Sequence, residues 1–136
     1  MKTLNKITIY IMMLAFGLIV NAQDNLNFTI LSNSIFANGQ NLNIESAISK
    51  TGNTLNWTQT HEDGSEQISF SIVSSSGAWD QSTSIGELTY QLDIDGTQVI
   101  LVLTGTNSTF SAKLTYILSN SQQQEYSFSN NEINYQ

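Results

Sequence analysis

Leu88-Thr89-Tyr90-Gln91-Leu92-Asp93-Ile94-Asp95-Gly96-Thr97-Gln98-Val99-Ile100-Leu101-Val102-Leu103 is the stretch that decides the fold. Apolar residues alternate on both sides of Asp95-Gly96, a dipeptide suited to the positive φ angles of a two-residue hairpin turn. Pairing across that turn sets Leu92 opposite Val99, Tyr90 opposite Leu101 and Leu88 opposite Leu103, all on one face. Gln91 then faces Ile100 and Thr89 faces Val102. The second strand is apolar on both sides, which predicts a central position with its back covered.

The same test applies around Asp63-Gly64, taken as the turn between Leu55–His61 and Glu66–Ser74. It sets Trp57 opposite Phe70, Leu55 opposite Ile72 and His61 opposite Glu66, with Thr58 against Ser69 and Asn56 against Ser71 on the outer face. Apolar and polar side chains separate without adjustment, and a slip of one residue would invert every one of them. Further strands are expected at Leu26–Leu31, Leu42–Ile48, Phe110–Leu118, Tyr126–Ser129 and Ile133–Tyr135. Ser74–Glu87 is read as the one long connection, able to cross from one sheet to another. No stretch after the leader repeats apolar residues at helical spacing for more than a turn or two.

The expected fold is therefore all-β: a small antiparallel β-sandwich of about eight strands, with a closed up-and-down β-barrel as the alternative. An outer-membrane barrel would call for strands of about 9–11 residues and aromatic girdles. The strands read here are shorter, and their outer faces are Ser, Thr, Asn and Gln.

Residues 1–22 read as a signal peptide. Lys2 and Lys6 precede an apolar run from Ile7 to Val20, and Val20-Asn21-Ala22 suits cleavage before Gln23. A single all-β domain is expected over 23–136, exported to the periplasm or beyond the cell, without membrane insertion once the leader is removed. That segment has no cysteine, so neither a disulfide framework nor thiolate chemistry is open to it.

After the leader, only Lys50 and Lys113 stand against eleven carboxylates, a formal charge near −9 with no arginine. Nucleic acid and anionic lipid are held by lysine and arginine clusters and are excluded as partners. Asn, Ser, Thr and Gln make up close to half of the segment, a surface hydrated by uncharged groups that suits a neutral glycan. Proline is absent and lysine is scarce, so strand edges lack two common guards and self-association through them is open.

Candidate ligand-binding residues follow from parity and from the long connection. The parity that turns Leu55, Trp57 and Ile48 inward also turns Ser46 and Gln59 inward, where polar groups need partners. With His61 they are expected to line a pocket mouth. Trp79, beside Asp80 in the long connection, is the aromatic with fewest structural duties and is placed to stack on a ligand. His61, Asp63 and Glu66 make a weak cation candidate, since one histidine does not build a usual zinc site. Asp93-Ile94-Asp95-Gly96 matches only the start of a calcium loop, because Thr104 stands where the closing glutamate belongs.

No nucleophile elbow, phosphate loop or cofactor motif is present, so no catalytic residue and no cofactor is assigned. The expectation is an exported, non-enzymatic binding module for a neutral glycan, a small ligand or a surface protein. The alternative is a self-assembling matrix or fibre component, or a chaperone acting on strand edges. A carboxylate-dependent polysaccharide hydrolase comes third.

Overall fold

A computed structural model describes residues 25–129 and 131–136; the expected signal peptide, residues 1–22, lies outside them. Among the described residues eleven strands form one antiparallel sheet: β1 Phe28–Ser32, β2 Ser34–Ala37, β3 Gln40–Leu42, β4 Glu45–Thr51, β5 Thr54–His61, β6 Gly64–Asp80, β7 Ile85–Ile94, β8 Thr97–Gly105, β9 Phe110–Ile117, β10 Gln123–Ser129 and β11 Glu132–Tyr135. Their order is β11-β1-β4-β5-β6-β7-β8-β9-β10-β2-β3. The sheet has two ends, β11 and β3, and does not close into a barrel.

The Asp95-Gly96 hairpin has the register expected of it, including Leu92↔Val99, Tyr90↔Leu101 and Leu88↔Leu103. Asp95 and Gly96 take φ values of 49° and 83°, as a primed turn requires. Strand β8 lies between β7 and β9 with Val99, Leu101 and Leu103 fully buried, but Ile100 and Val102 on its other face are only half-buried, short of the covered back expected from the sequence.

The second hairpin departs by two residues. Leu55 lies opposite Phe70, Trp57 opposite Ile68 and His61 opposite Gly64. Gly64 joins the ladder at a φ of 136°, which leaves Glu62 and Asp63 as the turn. A shift of two keeps every side chain on its predicted face, because the period of a strand is two. Turn geometry moved the partners and left the burial unchanged.

The expected long connection is absent. Ser74–Asp80 continues β6, and only residues 81–84 turn before β7. Strand β6 pairs with β5 up to Ser71 and with β7 from Ser71 onward, with a bulge at Val73, whose side chain is 70% exposed. A bulge bends a strand and increases its twist. The crossing between the two walls is thus made by a bent strand and not by a loop. Strands β6, β7 and β8 have 17, 10 and 9 residues, longer than the sequence suggested.

On the opposite side, the walls are joined at two corners. β1 passes into β2 through Asn33, and β10 ends at Ser129 shortly before β11 begins at Glu132. The strands beyond these corners also pair: Leu31 lies opposite Glu132, and Ser34 opposite Ser129. The Ser32 hydroxyl lies 2.8 Å from Ser34 O and 2.6 Å from Ser129 O, within the seam. These corners and the three-residue β3 explain why eleven strands appear where about eight were read.

The sheet folds over so that strands far apart in its order meet across one core. Trp57 of β5 meets Tyr126 and Phe128 of β10, with ring centroids 5.2 and 5.4 Å apart. Phe70 of β6 meets Tyr116 of β9 at 6.1 Å, and Phe28 of β1 meets Tyr90 of β7 at 6.0 Å. Such tilted and edge-on pairs add about 0.5–1.5 kcal/mol each beyond the area they bury. This is the packing of a sandwich, carried by a single continuous sheet.

Burial pushes the Tyr116 phenol up to about 12, and neighbouring Tyr126 adds to the rise. The native phenol then keeps its proton where the unfolded one, near 10, has lost it. Between those values the native state binds more protons, so stability falls as pH rises through that window. Alkaline difference absorbance is expected to show a late tyrosinate step that disappears in Tyr116→Phe. An unchanged late step in that variant would contradict the assignment.

Candidate functional site

Trp79 is not in a loop. It lies in β6, is 9% exposed, and donates its indole N–H to the Tyr135 hydroxyl at 2.8 Å. Ser84 shares that hydroxyl at 2.7 Å, and the indole meets the Phe110 ring edge-on with centroids 6.0 Å apart. Gly105 lies beneath it: a Cβ there would come within 2.8 Å of the indole and 2.0 Å of Ser84 O. The ring closes one end of the sandwich. Asp80 is exposed, and its carboxylate accepts bonds from the Ser82 hydroxyl at 2.6 Å and the Ser82 N–H at 2.9 Å. These bonds hold its carboxyl below the usual range. Their geometry is that of a turn brace.

Ser46 and Gln59 do turn inward and lie directly opposite one another. The Ser46 hydroxyl is 3.3 Å from the Trp57 indole nitrogen, whose N–H it accepts. Its hydroxyl serves a core tryptophan, whose buried donor needs an acceptor, and Ser46 also lines a cleft at the Asn33 corner.

His61, Asp63 and Glu66 are exposed around a shallow depression of about 200 Å³. His61 lies opposite Gly64, while Glu66 lies opposite Gln59. Among the described residues, no group of three or more His, Asp or Glu side chains is close enough together to hold a metal ion. The five residues singled out for ligand binding therefore split between the two ends of the sandwich: Ser46, Gln59 and His61 near one, Trp79 and Asp80 at the other.

Two larger clefts involve residues that parity alone did not single out. One, of about 290 Å³, sits at the Asn33 corner, where Glu45 and Glu132 approach from different strands beside Leu31 and Ser46. The other, of about 310 Å³, lies between the β2–β3 hairpin and the start of β10. Phe36, a residue 48% exposed, lines it together with Asn38, Gln123, Gln124 and Glu125. Asn38 and Gly39 take φ values of 53° and 73°, so the hairpin turns in two residues and holds its tip beside β10. The only signals in the sequence were the Asn38-Gly39 dipeptide and the run Gln122-Gln123-Gln124.

Cations are scarce on this surface. Lys50 is fully buried, donates to Leu26 O at 2.5 Å, and lies 5.9 Å from the centre of the Tyr90 ring. Lys113, on β9, is exposed and paired with Glu125 at 3.9 Å, at the margin of the second cleft. Comparison with protein-family models, curated proteins and solved structures finds no match.

Proposed function

We propose that this chain is an exported, non-enzymatic binding module that takes a neutral glycan in the cleft between the β2–β3 hairpin and β10. One observation carries the reading. The half-exposed Phe36 ring shares a cleft of about 310 Å³ with the side-chain amides of Asn38, Gln123 and Gln124. An aromatic face covers the apolar side of a sugar ring, while amides bond its hydroxyls, and binding sites combine apolar walls with a few placed polar groups in this way. Excess negative charge on the segment after the leader argues against an anionic ligand. The Lys113–Glu125 pair leaves little net charge at the rim of the cleft.

Titration calorimetry of residues 23–136 against a panel of neutral oligosaccharides tests the proposal. Saturable binding is expected for at least one sugar, with Phe36→Ala weakening it by about tenfold or more. Folding stability of that variant should fall by about 1 kcal/mol, because about half of the residue is buried, which leaves the protein folded for the titration. A panel without binding, or a Phe36→Ala protein that binds as well as the parent, would overturn the reading.

A further inference from the structure

The chain has no cysteine, and its three methionines, Met1, Met12 and Met13, all fall within residues 1–22. Every strand of the sheet is therefore built without sulfur, and neither thiol nor thioether oxidation is open to it. An oxidant must act on aromatic side chains instead. Two of these stand side by side on the inner face. Tyr116 of β9 lies opposite Gln124 of β10, and Tyr126 lies opposite Leu114, which makes the two tyrosines diagonal neighbours within reach of each other. Their ring centroids are 5.8 Å apart, with the planes at 75°. Tyr126 also opposes ionisation of Tyr116, so the two hydroxyl ends are close enough to sense each other's charge. The carbons ortho to those hydroxyls are the ones at which oxidised phenols couple.

The other oxidisable rings are placed differently. Tyr90 is fully buried, and so, nearly, are Trp57 and Trp79. The Tyr135 hydroxyl is engaged by Trp79 and Ser84 at the opposite end of the sandwich. Tyr116 and Tyr126 are only partly buried at the margin of the core, where an oxidant can reach them.

We propose that Tyr116 and Tyr126 form an oxidative modification site, at which a peroxide-driven one-electron oxidant of the peroxidase class joins the two rings through a carbon–carbon bond. Each phenol gives one electron and one proton to the oxidant and becomes a phenoxyl radical. The two radicals couple at their ortho carbons, and the hydrogen on each coupled carbon moves to its oxygen, which restores both hydroxyls. The protein loses two hydrogens in all, and one hydrogen peroxide is reduced to two waters. The product ties β9 to β10 covalently in a chain that has no disulfide to do so. This inference is independent of the glycan cleft.

The test treats residues 23–136, kept dilute to suppress coupling between molecules, with a peroxidase and limiting hydrogen peroxide, free tyrosine serving to verify the oxidant. Blue dityrosine emission is expected from a species of monomer size that is lighter by two hydrogens. A protease specific for glutamate cuts between the partners, after Glu125, so the fragments carrying Tyr116 and Tyr126 should stay linked only in the oxidised protein. Tyr116→Phe and Tyr126→Phe should each lose nearly all of the monomer's emission, whereas Tyr135→Phe should keep it. Emission that survives in either of the first two variants would overturn the proposal. So would coupling confined to covalent dimers, or a protein that gains oxygen or stays unchanged while free tyrosine is converted.

Discussion

Trp57→Ala is expected to cost about 3–5 kcal/mol, the range for removing a fully buried aromatic side chain. Small domains have a total stability of about 5–15 kcal/mol, so much of the population would unfold at modest urea concentrations. The effect is large because Trp57 belongs to both walls. It sits in β5, meets Tyr126 and Phe128 of β10 edge-on, and gives its indole N–H to Ser46 of β4. Its removal opens a cavity where the walls meet and leaves a buried hydroxyl without that bond. Trp57→Phe separates the two contributions: most packing is kept, the hydrogen bond is lost, and a loss of about 1–3 kcal/mol is expected. Urea unfolding of both variants measures the difference. A loss below about 1 kcal/mol for Trp57→Ala would mean that the walls are not clamped at this point.

Gly86→Ala is expected to cost at least about 3 kcal/mol, from a strained backbone together with a collision. Gly86, the second residue of β7, has a φ of 139° and lies directly opposite Trp79, and a Cβ there would lie 2.1 Å from Ala78 O. Backbone cannot swing aside as a side-chain tip can, so β6 and β7 must separate where Trp79 closes the sandwich. Gly96→Ala is the internal control. Its φ of 83° is also unfavourable to a side chain, but nothing lies within 4 Å of the added carbon. Only the conformational cost remains there, about 1 kcal/mol. Thermal unfolding of the two variants should therefore differ clearly, and equal losses would show that the close approach at Gly86 relaxes freely.

The candidate clefts were less legible than the fold. Parity placed Ser46 and Gln59 on the inner face correctly, yet parity cannot tell a hydroxyl that only lines a mouth from one that also serves a neighbouring indole, as that of Ser46 does. That distinction depends on Trp57 adopting the side-chain conformation that reaches β4. Trp79 illustrates the reverse problem. Its surroundings of serine, glycine and alanine read as a loop, because small residues bury little surface and give no periodic signal. Only pairing with β7 made the segment a strand and turned the indole toward Tyr135. Phe36 lacked any distinguishing pattern, since its exposure follows from facing away from the core in a hairpin held beside β10.

What the sequence determined by itself was local. Period-two alternation assigns each side chain to a face, and Asp95-Gly96 sets a hairpin register, because both depend on residues only a few positions apart. Composition determined the acidic, cysteine-free character of the chain. Tertiary structure decided which walls meet, where β6 bends, and how the corners join. The seam brings Ser32 to Ser129, 97 residues away in the chain. At such separations many strand pairings satisfy the same alternation. The choice among them is made by the joint packing of Trp57, Phe70, Tyr116 and Tyr126 across the core, which no local pattern encodes.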